Sequence, residues 1–68
     1  MNDKITELTF SYTDSDADKK LVRKRNDLCR KHIGIYAMGW HYKKDLKKNI
    51  ITYYIKKNHP TSMLLALT

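Results

Sequence analysis

From Ile5 to Tyr12 the chain alternates, with Leu8, Phe10 and Tyr12 interleaved with Glu7, Thr9 and Ser11. A period of two predicts a strand over 5–12 with one face buried. Thr13-Asp14-Ser15-Asp16 then supplies a helix start, because Asp14 or Ser15 can cap free N–H groups while Asp16 and Asp18 meet the positive end of the dipole. Beyond it the period lengthens. Ala17, Leu21, Val22, Leu28, Cys29 and Ile33 share a helical stripe, and Lys19, Lys20, Arg23, Lys24, Asp27, Arg30 and Lys31 fall mainly on the other side. Arg30, Lys31 and His32 suit the negative end, and Gly34 stands where a left-handed cap is needed. The spacing predicts a helix over 15–33.

Residues 35–42 and 50–57 are rich in β-branched and aromatic side chains, separated by Lys43-Lys44-Asp45-Leu46-Lys47-Lys48-Asn49. This predicts a hairpin with a long basic loop. A short helix over 50–58 competes, since Ile51, Tyr54, Ile55 and Asn58 also share a helical face; Ile-Ile-Thr-Tyr-Tyr-Ile is better strand than helix material. Pro60 opens a last element over 61–67, a helix or a fourth strand. The predicted fold is α+β: a small antiparallel sheet with one long helix packed on a face, in the order β-α-β-β plus a short C-terminal helix or strand, as one domain over 1–68. Its predicted core is Leu8, Phe10, Leu21, Val22, Leu28, Ile33, Ile35, Ile51 and Ile55. The aromatics depend on hairpin register. With Tyr42 opposite Ile50, Trp40 pairs with Thr52 and Met38 with Tyr54. Ile35, Ala37, Ile51, Tyr53 and Ile55 then line the core, while Tyr36, Trp40, Tyr42 and Tyr54 form an outer aromatic sheet beside lysines. A slip of one residue turns the aromatics inward.

Composition narrows the function classes. A chain of 68 residues buries only about 60% of the surface its unfolded form exposes, which leaves little room for a deep substrate cavity. Hydrophobic residues make up 41%, including five Tyr, one Trp and one Phe, enough for a folded chain rather than a disordered tail. Cys29 is alone, so an intramolecular disulfide and a four-cysteine zinc site are excluded; the expectation is a buried helix thiol in a reducing compartment. The longest apolar run, Met63 to Leu67, is far too short to span a membrane. The N-terminal residues lack the pattern of a signal peptide, so a cytoplasmic location is expected. His32, His41 and His59 have no compact ligand spacing. No metal, cofactor or catalytic residue is expected, because glycine-rich phosphate loops, nucleophile elbows and metalloprotease helices are all missing from the sequence.

Charge changes the picture most. The net charge is +7, and it is uneven: Lys4 faces five carboxylates in residues 1–18, whereas thirteen Lys and Arg face only Asp27 and Asp45 in residues 19–68. Such an excess creates a positive potential that draws polyanions. The candidate binding residues are Lys20, Arg23, Lys24, Arg30 and Lys31 on the helix and Lys43, Lys44, Lys47 and Lys48 on the loop; Lys19, Lys56 and Lys57 complete the basic set. Tyr36, Trp40, Tyr42 and Tyr54 add a surface able to stack bases or anchor a protein. The leading expectation is a small basic, non-enzymatic nucleic-acid-binding or regulatory protein whose contacts are mostly to phosphate and weakly sequence-dependent. Neutralising about five phosphates gives a slope of log K on log salt of roughly −4 to −5. The alternative is a small phage- or mobile-element-type inhibitor that docks on an acidic host protein, or on a nucleic-acid-processing enzyme through an aromatic/basic or acidic patch. A membrane partner is not expected. A monomer or a homodimer paired at a sheet edge both fit.

His41-Tyr42-Lys43-Lys44-Asp45-Leu46-Lys47-Lys48 resembles a segment of the small toxin ribonucleases with a double-stranded-RNA-binding-like fold. The resemblance covers about eight residues. The Gly-Ser-His stretch carried by that family on its first strand has no counterpart here, so membership is not inferred. It implies a third expectation, a toxin-like ribonuclease using His41 with a phosphate-holding lysine.

Overall fold

The computed structural model describes residues 5–68; Asp3 and Lys4, part of the acidic N-terminal segment, lie outside the described residues. The elements are β1 (Ile5–Ser11), α1 (Asp16–His32), β2 (Trp40–Asp45), β3 (Ile50–Lys56) and α2 (Thr61–Ala66). The three strands form one antiparallel sheet in the order β1-β3-β2, so the last strand is central. This is the expected α+β class and element order, with the C-terminal element resolved as a helix.

Side-chain alternation gives the sheet two unlike faces. Leu8 and Phe10 on β1, Ile51, Tyr53 and Ile55 on β3, and Trp40 and Tyr42 on β2 share the inward face. Tyr12, Val22, Cys29 and Leu65 complete the buried core, with Leu28 and Ile33 packed against it. The opposite face carries Glu7, Thr9, Thr52, Tyr54, His41 and Lys43, and none of these is buried. α2 packs against α1 and the β1 edge.

Local chemistry explains the start and end of α1. The Ser15 side chain accepts a hydrogen bond from the Asp18 N–H at 3.2 Å, while the Asp18 carboxylate accepts from both the N–H and the hydroxyl of Thr13 at 2.8 Å. One orphan N–H of the helix entrance is thus satisfied, and the segment before the cap is tied to the first turn. The Thr13 donors hold the Asp18 carboxyl below the ordinary carboxylate pKa. At the other end, the N–H groups of Ile33 and Gly34 both reach the Cys29 carbonyl.

Two polar groups of α1 enter the core. The Tyr53 hydroxyl donates to Asn26 Oδ1 at 2.7 Å, joining the central strand to the helix. Arg25 is only 5% exposed; its guanidinium lies 3.8 Å from the centre of the Phe10 ring and donates to the Thr68 main-chain oxygen. Burial lowers the Arg25 pKa. Burial likewise pushes the Cys29 thiol up to about 11, so it is protonated and unreactive at neutral pH.

β2 departs from expectation. It begins at Trp40 instead of Ile35, and Lys43, Lys44 and Asp45 belong to the strand instead of the loop. Residues 33–39 are a non-repetitive connection whose dihedrals do not suit a strand: Ala37 has φ +71° and Gly39 has φ +113°. A Cβ at Gly39 would meet Ile33 Cγ2 at 3.0 Å, so both conformation and space call for glycine. Ile35, expected in the core, is 74% exposed. The shortened connection between strands, Leu46 to Asn49, turns with the Asp45 carboxylate accepting from the Lys48 N–H and with Asn49 at φ +56°. Tyr42 consequently faces Tyr53 instead of Ile50, and Trp40 faces Ile55 instead of Thr52. This odd shift in register turns Trp40 and Tyr42 to the helix side.

Candidate nucleic-acid interface

Because Ser11 pairs with Ile50 and the Tyr12 N–H reaches the Asn49 carbonyl, the end of β1 lies beside the β2–β3 turn. The chain then needs only residues 12–15 to enter α1. The first turns of α1 and the tip of the hairpin therefore occupy the same end of the molecule. Lys19, Lys20, Arg23 and Lys24 come from one element there, and Lys44, Lys47 and Lys48 from the other.

Three of these cations meet. Lys19 and Arg23, one helical turn apart, line a cleft of about 260 Å³ together with Lys44 from β2. Tyr12, Asn26 and Tyr42 supply its neutral polar walls and Val22 part of its floor. Among the described residues no carboxylate lines it, but Asp14 stands close by: it accepts from the Tyr12 hydroxyl at 2.7 Å, and that bond together with the charges of Lys19 and Lys44 holds its carboxyl below the ordinary pKa. The Lys44 Nζ lies 5.0 Å from the centre of the Tyr12 ring. The adjoining Tyr12 phenol raises the Lys44 pKa above the ordinary lysine value. An arginine and two lysines around hydroxyl and amide groups have the chemistry to hold an anion such as phosphate: a guanidinium offers a planar fork and ammonium groups offer point charges.

The other expected cations are dispersed. Lys20, Lys24 and Lys31 follow one another along the outer, solvent-facing side of α1. Arg30 pairs with Asp27 on the surface and borders an apolar hollow formed with Gly34, Ile35 and Tyr36. Lys47 and Lys48 stand on the hairpin tip, and Lys43 points to the open face of the sheet, opposite Thr52.

The aromatic candidates divide as well. Trp40 is 2% exposed, and its indole N–H donates to the Gly34 carbonyl at 2.9 Å, so its ring is a core group with no face to offer a base. Tyr42 is half-buried between Tyr36 and Tyr53. Tyr36 lies on the connection, its ring edge-on to Trp40 at 5.1 Å. Tyr54 is the member that faces outward from the sheet, stacked on His41 with ring centres 4.6 Å apart and 14° between planes.

Tyr12 and Asn26 are not among the expected binding residues, and Lys19 is expected only as a member of the wider basic set. Lys19, Arg23 and Asn26 share one helix flank at i, i+4 and i+7, a signal present in the sequence. Among the described residues no group of three or more His, Cys, Asp or Glu side chains is placed to hold a metal ion, and no helix is long and apolar enough to cross a membrane.

These features define a small basic α+β domain with a cationic cleft between its long helix and an edge strand. No family model, curated protein or solved structure gives a match to the chain.

Proposed function

We propose that this protein binds nucleic acid without catalysing a reaction, seating backbone phosphate in the cleft formed by Lys19, Arg23 and Lys44. The observation that supports this reading is the meeting of cations from two elements far apart in sequence around neutral donors. The Lys20, Lys24 and Lys31 ridge and the hairpin-tip lysines extend the positive field around that seat and speed encounter. Affinity comes chiefly from counterion release, so sequence preference is weak.

The test is fluorescence anisotropy with labelled DNA and RNA across a salt series. A slope of log K on log salt of roughly −4 to −5 on duplex and about −3.5 on single strands is expected, and replacing both Arg23 and Lys44 by Ala should make it shallower by roughly 1.5 to 2. A salt-insensitive affinity, or a double variant with unchanged slope, overturns the proposal. Docking on a host protein is the competing reading, favoured by the exposed Ile35, Met38, Met63 and Leu67; a partner that survives nuclease treatment in a lysate pull-down supports it instead.

A further inference from the structure

We infer that the open face of the sheet holds an unstacked base, so that the ligand is single-stranded nucleic acid; this rests on the phosphate-seat reading and extends it across β2. β2 is an edge strand, and its successive residues point to opposite sides. Lys44 enters the cationic cleft, while Lys43 and His41 stand on the open face. The two sites are thus separated by the width of β2 and, along it, by the three residues from His41 to Lys44, about 10 Å.

On the open face, His41 and Tyr54 form a cross-strand stacked pair, 4.6 Å between centres and 14° between planes. With Ile5 and Lys56 they border a cavity of about 340 Å³ whose lining also includes Ala37 and Gly39 and, from inward-facing positions, Trp40 and Ile55; its size is at the lower end of the range for small-ligand sites. Ala37, part of its lining, has its backbone at φ +71°, a conformation that L residues other than Asn and Asp rarely adopt. A hydroxyl-bearing ring, an imidazole and apolar walls suit a flat heteroaromatic group that stacks with its polar edge toward water. Lys43 on β2 and Lys56 on β3 flank the pair and suit the charged backbone on either side of such a base. Glu7 pairs with Tyr54 from β1, so phosphate is repelled from that edge and the strand is directed along the β2 side.

A duplex cannot satisfy both sites. Its bases are stacked inside, and a side chain standing on a sheet does not reach their faces unless they are splayed out. A single strand crossing β2 sets a phosphate against Lys19, Arg23 and Lys44 and turns a base roughly two nucleotides further along onto Tyr54 and His41.

The experiment compares a labelled single strand, its duplex and an otherwise identical strand with abasic sites, titrated with the native protein and with Tyr54→Thr. The native protein should bind the normal single strand roughly 5- to 100-fold more tightly than the abasic one, the range expected for one stacked base. Tyr54→Thr should lose that preference, keep the salt slope, and bind duplex as the native protein does. Equal native affinity for normal and abasic strands overturns the inference whatever the variant does, and leaves the phosphate seat standing if Arg23→Ala with Lys44→Ala still makes the slope shallower. A base-dependent affinity with a slope untouched by that double substitution overturns the seat and keeps the stacking site. Preference for duplex, or capture of a nuclease-resistant protein partner lost on Tyr54→Thr, also overturns the inference.

Discussion

On the face that α1 and α2 cover, β3 presents Ile51, Tyr53 and Ile55, all at 0% exposure; on the open face the same strand presents Thr52 and Tyr54, both partly exposed. β2 repeats the division, with Trp40 and Tyr42 inward and His41 and Lys43 outward. Alternate residues of one strand thus do different work. The covered face holds the chain together, and the open face contributes little to that packing. The difference shows why tyrosine content alone does not locate a binding platform: Tyr53 and Tyr54 are neighbours in sequence, yet the first is a buried cross-link to Asn26 and the second a solvent-facing ring.

Substitution at the covered face should be costly, and Trp40→Ala gives the largest effect. It empties a core site and leaves the Gly34 carbonyl without its indole donor, so a loss of about 3–5 kcal/mol is expected in urea denaturation. Since chains of this size are marginally stable, the variant should be largely unfolded at 37 °C by circular dichroism. A loss below about 1 kcal/mol would remove Trp40 from the core and restore an outward platform.

Arg25 sharpens the same contrast, because it is a cation on the covered side. Arg25→Ala strips the Phe10 ring of its cover and should cost about 2–3 kcal/mol. Arg25→Met keeps the packing while removing a charge that burial already disfavours, so its stability should match or exceed the native value. If Met is as damaging as Ala, the charge and its bond to the Thr68 oxygen matter more than the packing.

Tyr53→Phe is smaller again. The ring stays, but Asn26 Oδ1 loses its donor in a partly buried setting, an expected cost of about 1–2 kcal/mol by the same denaturation measurement. Outside the sheet, the Asp18 cap adds a pH dependence. Its carboxyl is held below the ordinary pKa in the folded state, so the unfolded chain binds the proton more readily there. The contribution is complete above the unfolded carboxylate pKa of about 4 and disappears as pH falls through the lower folded value. Asp18→Asn should flatten that acid limb of a melting-temperature series and leave the neutral limb unchanged in shape.

The same alternation explains what was legible in the sequence. β1, α1 and β3 were legible because their periodicity is strong and their boundaries carry local chemistry: the Ser15 cap, Gly34 after the helix, and the Ile-rich centre of β3. β2 was not, for two reasons. Ile35-Tyr36-Ala37-Met38 has strand composition, yet lies in a connection with Gly34, Ala37 and Gly39 at positive φ. Lys43 and Lys44 have loop composition, yet an edge strand accommodates lysines, whose charge also discourages pairing with another chain. The informative signal was Asp45 before, and Asn49 at the end of, a four-residue turn, which sets the register. Once β2 was displaced, Lys44 could not be placed in the cleft with Lys19 and Arg23, although the helical half of that site follows from spacing alone.

The smallest expected effect is at the open face, and it separates binding from stability. Tyr54 has no covering layer, and its ring contributes mainly through the cross-strand contact with His41. Thr has good strand propensity, so Tyr54→Thr should change the unfolding free energy by about 0.5 kcal/mol or less. Tyr53→Phe, one residue away and chemically gentler, is expected to cost more, because its effect is exerted inside the helix–sheet interface. If Tyr54→Thr proves as destabilising as Tyr53→Phe, the two faces are not independent, and the ring is part of the packing that holds β2 against β3. If it is neutral for stability yet abolishes discrimination between normal and abasic strands, the ring is exposed for a ligand's sake.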